Sequence, residues 1–221
     1  YKFSSFCIFH EHKLEEVSPS IYTVTRGENM LIAIYFLGMI VMILIRIPYS
    51  KQTKSNTIVK SRKSILETTL LTIMTIGSSL IPLVYAFTNW LDFANLIVPH
   101  WIPVIGTVLS VFALCLFWRS HADLGRNWSH TLEIREGHTL ITEGIYRHIR
   151  HPMYASALLW GIAQMLILPN WFVGLAPFLS ILILYLFRVK HEEKMMIDQF
   201  GEEYRRYKEK TGGILPKMKH L

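Results

Sequence analysis

Charge is what this chain has least of. Only 18% of its 221 residues are Asp, Glu, Lys or Arg, against about 25% in an ordinary soluble domain, while 51% are hydrophobic. Mean hydropathy is positive, at +0.30. Acids are the scarcer sign, 16 against 23 bases, which leaves a net charge of +7. With no zinc-finger, RNA-binding or basic-helix signature, that excess suits an anionic membrane surface and not nucleic acid. Cysteine is nearly absent. Cys7 lies near the N-terminus and Cys115 in an apolar run, so no disulfide framework is expected. A G-x-G-x-x-G phosphate loop of the soluble nucleotide folds is missing. Residues 1–28 mix charges with aromatics and do not resemble a signal peptide. No Cys, Asp or Glu stands at ligand spacing from His148 and His151, so no metal site is expected.

The few charges collect in blocks, and long apolar runs fill the space between them. Membrane spans are predicted at about 30–47, 65–88 and 102–118. Gly77 and Pro82 fall inside the second, where neighbouring helices can satisfy the freed backbone. From Pro152 to Phe187 the chain runs for 36 residues without a formal charge. One helix of that length would measure about 54 Å, too long for a hydrocarbon core of about 30 Å. Pro169-Asn170 lies midway and breaks the run into a helical hairpin. The expected architecture is an all-α integral membrane protein of about five spans. Its parts are an extramembrane segment 1–29, spans one to three over 30–118, and a C-terminal region 119–221 that holds the hairpin 152–187.

Lys and Arg set the orientation. The loop after span one holds Arg46, Lys51, Lys54, Lys60, Arg62 and Lys63, with no acid before Glu67. The segment Arg119–His151 and the C-terminal tail are also basic, whereas the other connectors carry almost no cation. The positive-inside rule then puts the C-terminus in the cytoplasm and the N-terminus outside, with Trp90, Trp101 and Trp171 at the outer interface. The tail RVKHEEKMMIDQFGEEYRRYKEK reads as an amphipathic surface helix. The polar segment and this tail flank the hairpin on one face, so one composite cytoplasmic site is expected between them.

Two constellations could hold chemistry. In RHIRHPMY, Pro152 suits the first position of a helix, and His148, Arg150 and His151 crowd that helix's N-terminus, which attracts anions. Arg147 and Arg150 equally satisfy topology alone, and Tyr146 and Tyr154 equally suit an interface. At the end of the fifth span, Arg188 and Glu192 are four apart on one helix face, either as an ordinary ion pair or as functional groups. Gln164 and Ser156 are polar within the fourth span; packing partners are expected for both, with Ser156 also able to border a ligand cavity.

Taken together, GHTLITEGIYRHIRHPMY, a hairpin broken near NW, FRVKHEE and FGEEYRRYKEKTGGILP resemble the isoprenylcysteine carboxyl methyltransferases and their prokaryotic relatives, over about residues 120–216. The resemblance implies S-adenosylmethionine as cofactor. It implies that His138, Thr139, Leu140 and Ile141 line the cofactor site with Tyr146, His151, Pro152, Met153, Tyr154 and Glu192. It implies too that Arg188 holds the acceptor's carboxylate, the acceptor being a C-terminal isoprenylcysteine or similar hydrophobic molecule reached from the bilayer. Membrane methyltransferases of phospholipid amines or small thiols have a similar C-terminal half and form the nearest alternative. An NADPH-dependent membrane reductase and a non-enzymatic scaffold are the alternatives from other classes.

Overall fold

The computed structural model describes residues 19–54, 58–61, 65–128, 133–135, 137 and 139–217. The first helix, α1, runs from Pro19 to Lys54 and passes through Pro48. Next comes a rod in three joined parts: α2 (Ile65–Thr75), a π-helical turn at Ile76–Leu80, and α3 (Ile81–Phe87). Then follow α4 (Trp101–Leu124), α5 (Pro152–Ile167), α6 (Trp171–Phe200) and α7 (Glu202–Lys210). By length and composition, four segments among the described residues can cross a membrane: Asn29–Gln52, Ile65–Phe87, Trp101–Asn127 and Trp171–Phe200. The fifth apolar helix, α5, has 16 residues, about 24 Å at 1.5 Å per residue. Outward faces stay greasy. Leu37, Ile43, Val108, Phe112, Leu179 and Leu186 are all exposed, which water would penalise and lipid does not.

The irregular second rod has a local cause. Pro82 has no N–H to give the carbonyl of Ser78, four residues earlier. The hydroxyl of fully buried Tyr35, on α1, donates to that carbonyl instead at 2.6 Å. A neighbouring helix thus supplies what the proline removes. Close approach of α4 and α5 depends on Gly106, where a Cβ would stand 2.8 Å from the Leu166 Cβ and 2.9 Å from the Ala163 carbonyl.

The hairpin turns at the expected place. Asn170 caps α6 by accepting from Val173 N–H at 3.0 Å, and its amide donates to Leu91 O and Asn95 Oδ1 at 2.7 and 2.8 Å. The connector after α3 and the hairpin turn therefore share one end of the bundle, where Trp90, Trp101 and Trp171 are exposed.

One expectation is refined and one needs correction. The fold is all-helical as expected apart from a small ribbon, in which β1 (Ile58–Ser61) pairs antiparallel with β2 (Glu133–Arg135) and joins the basic loop to the polar segment. Neither strand is long enough to show an alternating pattern in the sequence. The last apolar helix, α6, does not end at Phe187 with a separate helix beyond it. It continues through KHEE to Phe200, because no glycine or proline interrupts the run before Gly201, whose φ of 55° then permits the break before α7.

Candidate active site

At the bundle end opposite Trp90 and Trp171, the polar segment and the C-terminal tail meet. Pro152 opens α5, and His151 before it has φ −122° and ψ 57°, outside the α region as a residue before proline must be. Backbone bonds join the two stretches: Arg150 N–H donates to Gly212 O at 2.9 Å, His151 N–H to Gly213 O at 3.1 Å, and Gly212 N–H to His148 O at 3.3 Å. Tyr207 on α7 donates its hydroxyl to Tyr146 O at 2.6 Å, and Tyr146 donates to Ser120 O at 3.3 Å. Burial pushes the phenols of both tyrosines up, Tyr207 to about 12, so they remain neutral donors.

Glu193 is the junction of this closure. Its Oε1 takes Arg150 Nε at 3.1 Å and His151 Nε2 at 3.2 Å, and its Oε2 takes Lys208 Nζ at 2.5 Å. The uncharged run of α6 ends at Phe187, so this network lies in its charged extension. Burial alone would raise the Glu193 carboxyl, yet hydrogen bonds from His151 and Lys208 and the Arg150 charge hold it at about 2. Arg150 also donates to the carbonyls of Lys208 and Thr211, which fixes α7 over the site.

Beneath lies a cavity. Thr139, Leu140, Ile141, Tyr146, His151, Pro152, Met153, Tyr154, Arg188 and Glu192 all line it. His138 falls outside the described residues. The sequence-predicted site residues are thus brought together in one place. Glu192 accepts from Tyr154 Oη at 2.9 Å and lies 3.8 Å from His151 Nδ1. A carboxylate can only accept, so His151 Nε2–H donates to Glu193.

Several contributors are not apparent from sequence reasoning. Glu67, 4% exposed at the start of α2, lies 3.4 Å from Arg188 Nη2. The i, i+4 pattern pointed Arg188 towards Glu192 alone; the available signal was that Glu67 is the first acid after a wholly basic loop. Asn127 pins the segment that begins at Thr139: its Oδ1 accepts from Thr139 N–H at 3.0 Å and its Nδ2 donates to Thr139 Oγ1 at 3.2 Å. Asp123 Oδ2 accepts from Ile145 N–H at 2.7 Å and shapes the turn at Gly144. Arg46, from α1, also reaches the cavity. Gln164 has the interhelical packing role expected of it, tying α5 to Val173 O of α6 at 3.1 Å, whereas Ser156 donates within its own helix to Met153 O at 2.8 Å.

Comparison with known proteins points the same way. Residues 104–198 match the model of the isoprenylcysteine carboxyl methyltransferase family. The chain is 33% identical over 145 residues to the protein-S-isoprenylcysteine O-methyltransferase of Homo sapiens, covering 62% of this chain and 51% of that protein. It is 31% identical, with the same coverage, to the protein of that name from Mus musculus. It thus spans about half the length of these relatives. Among solved structures, the eukaryotic intramembrane Ras methyltransferase, an isoprenylcysteine carboxyl methyltransferase, superposes with a TM-score of 0.50 at 24% identity, over 72% of this chain and 54% of that one, which establishes a shared fold. An integral membrane fold whose residues 104–198 resemble the isoprenylcysteine carboxyl methyltransferase family is the conclusion these matches support.

Proposed function

We propose that the protein is a membrane methyltransferase that moves a methyl group from S-adenosylmethionine to the carboxylate of a C-terminal isoprenylcysteine or a similar hydrophobic acceptor. One observation carries the reading. Arg188, Glu192 and the His151–Tyr154 run share a cavity with the apolar side chains of Leu71, Met74, Ile181 and Leu184, at the water-facing end of membrane helices. Such a site can receive a polar donor from the cytoplasm and a greasy acceptor from the bilayer.

The residues present suit that donor. His151 Nδ1 is buried with no hydrogen-bond partner among the described residues, Glu192 supplies a negative charge, and the main chain of Leu140 and Ile141 is committed to neither helix nor strand. Thr139, Leu140, Ile141, Tyr146, His151, Pro152, Met153, Tyr154 and Glu192 would hold it, with His138 next in the chain. When bound, the donor supplies an electrophilic methyl group on a cationic sulfur.

The chain's own groups do the rest. Glu192, oriented by Tyr154, balances the sulfonium charge. Arg188, steadied by Glu67, presents a planar fork to the acceptor carboxylate, which fixes its attack direction. Phe117, Trp128 and Tyr146 keep water from the reacting atoms. No general base is required, because a carboxylate is already ionised at neutral pH. An amine or thiol acceptor would have to lose a proton, and a cation such as Arg188 favours an anion in its place. The Lys and Arg distribution puts this face in the cytoplasm and the N-terminus outside.

Titration of detergent-solubilised protein with S-adenosylhomocysteine tests the reading. Saturable heat and a raised unfolding temperature are expected. Absence of both, or stabilisation by NADPH instead, would overturn it.

A further inference from the structure

Cations that line the cavity are matched with carboxylates, with one exception. Arg150 has Glu193 and Arg188 has Glu67, while Glu192 faces the position proposed for the donor. Arg46, from α1, has no such partner among the described residues. Its Nε is buried with no hydrogen-bond acceptor among the described residues. The residue lies outside 104–198, the stretch that matches the family model.

Its setting is built, not incidental. The guanidinium carbon sits 5.3 Å from the Phe117 ring centre and 5.6 Å from that of Trp128. Buried His121 backs both rings, at 4.3 Å from Phe117 and 5.2 Å from Trp128, and Tyr49 closes on His121 at 5.4 Å. His121 is fixed in turn by its Nδ1 contact with Phe117 O at 2.9 Å. Ring faces hold a guanidinium by its plane and leave its in-plane N–H groups for an anion. Arg46 and Arg188 line the same cavity. Two cations beside one dry cavity repel, and Glu67 offsets only one of them. An anionic ligand removes the imbalance.

Resting on the methyltransferase reading above, we infer that Arg46 is a second acceptor-binding cation, which takes one oxygen of the acceptor carboxylate while Arg188 orients the other. The two arginines then select a carboxylic acid over its neutral analogues, and Arg46 ties the first span to the chemistry of the C-terminal region.

The test compares wild type, Arg46→Gln and Arg46→Lys, using N-acetyl-S-farnesylcysteine as acceptor and its carboxamide as a competitor that cannot react. Loss of one charge-assisted hydrogen bond should raise the acceptor KM of Arg46→Gln by about 10- to 100-fold, with a smaller change in kcat. Arg46→Lys should recover part of that loss. Affinity for S-adenosylhomocysteine and for the carboxamide should stay at the wild-type level. The inference fails if Arg46→Gln keeps the acceptor KM within about twofold. It also fails if acid and carboxamide weaken equally, or if S-adenosylhomocysteine binding is lost too, since Arg46 would then only support the fold. A wild-type protein that binds S-adenosylhomocysteine but never methylates the acid would instead sink the choice of acceptor, and this inference with it.

Discussion

Arg188→Lys is the substitution that separates holding the acceptor from holding the fold. Removing the cation outright would deprive Glu67, 4% exposed and 3.4 Å away, of Arg188, and breaking a buried pair by deleting one member costs about 3–5 kcal/mol of stability. An alanine variant would therefore mix unfolding with lost chemistry. Lysine keeps a positive charge opposite Glu67 but offers a compact ammonium instead of a fork, so it cannot face Glu67 and a carboxylate in fixed directions together. The expected loss is one charge-assisted hydrogen bond in the transition state. That is about 1.5–3 kcal/mol, or about 10- to 150-fold in kcat/KM. The assay is steady-state methylation of a prenylcysteine acid, beside calorimetric titration with S-adenosylhomocysteine on the same preparation. Affinity for the latter should hold within about twofold. Unchanged acceptor kinetics together with collapsed S-adenosylhomocysteine binding would refute the assignment, and would move Arg188 to the donor side of the cavity.

Glu192→Gln should weaken binding of the cationic donor more than of neutral-sulfur S-adenosylhomocysteine, by about tenfold relative to it, because only the former presents a sulfonium to balance; parallel titrations read the difference. Glu193, held at about 2 against an ordinary 4.5, adds stability that is complete above about pH 4.5 and lost as pH falls towards 2. Melting temperature plotted against pH should therefore drop over that window in wild type and be flatter in Glu193→Gln; parallel curves would contradict the network. Tyr35→Phe should lower stability by about 1 kcal/mol, since Ser78 O then loses its 2.6 Å donor, and a thermal melt in detergent with no shift would rule out that role.

Hydropathy made the membrane helices legible, because a bilayer demands long uncharged runs and little else imitates them. The hairpin break was legible for a similarly local reason: Pro169-Asn170 disfavours a continuous helix, and Asn170 caps the next. Charge content misled at the other end of α6. Leaving the membrane does not end a helix; only a residue such as Gly201 does. The ribbon of β1 and β2 was illegible because its pairing spans more than 70 residues and each strand has at most four. Within the site, residues contiguous in RHIRHPMY and FRVKHEE could be named from the chain itself. Arg46, Glu67 and Asn127 could not, since packing of α1, α2 and the end of α4 against the C-terminal region brings them there. No spacing rule records such contacts.

Transfer of isotopically labelled methyl groups offers the sharpest judgement on the whole picture. Purified protein would be incubated with methyl-labelled S-adenosylmethionine and a mixture of a prenylcysteine acid, a phospholipid amine and a small alkyl thiol, and the products resolved by mass spectrometry. Label should appear on the prenylcysteine as a base-labile ester. Label on the amine or thiol alone, or on none of the three, would contradict a cavity built to join a sulfonium donor to a carboxylate from the bilayer.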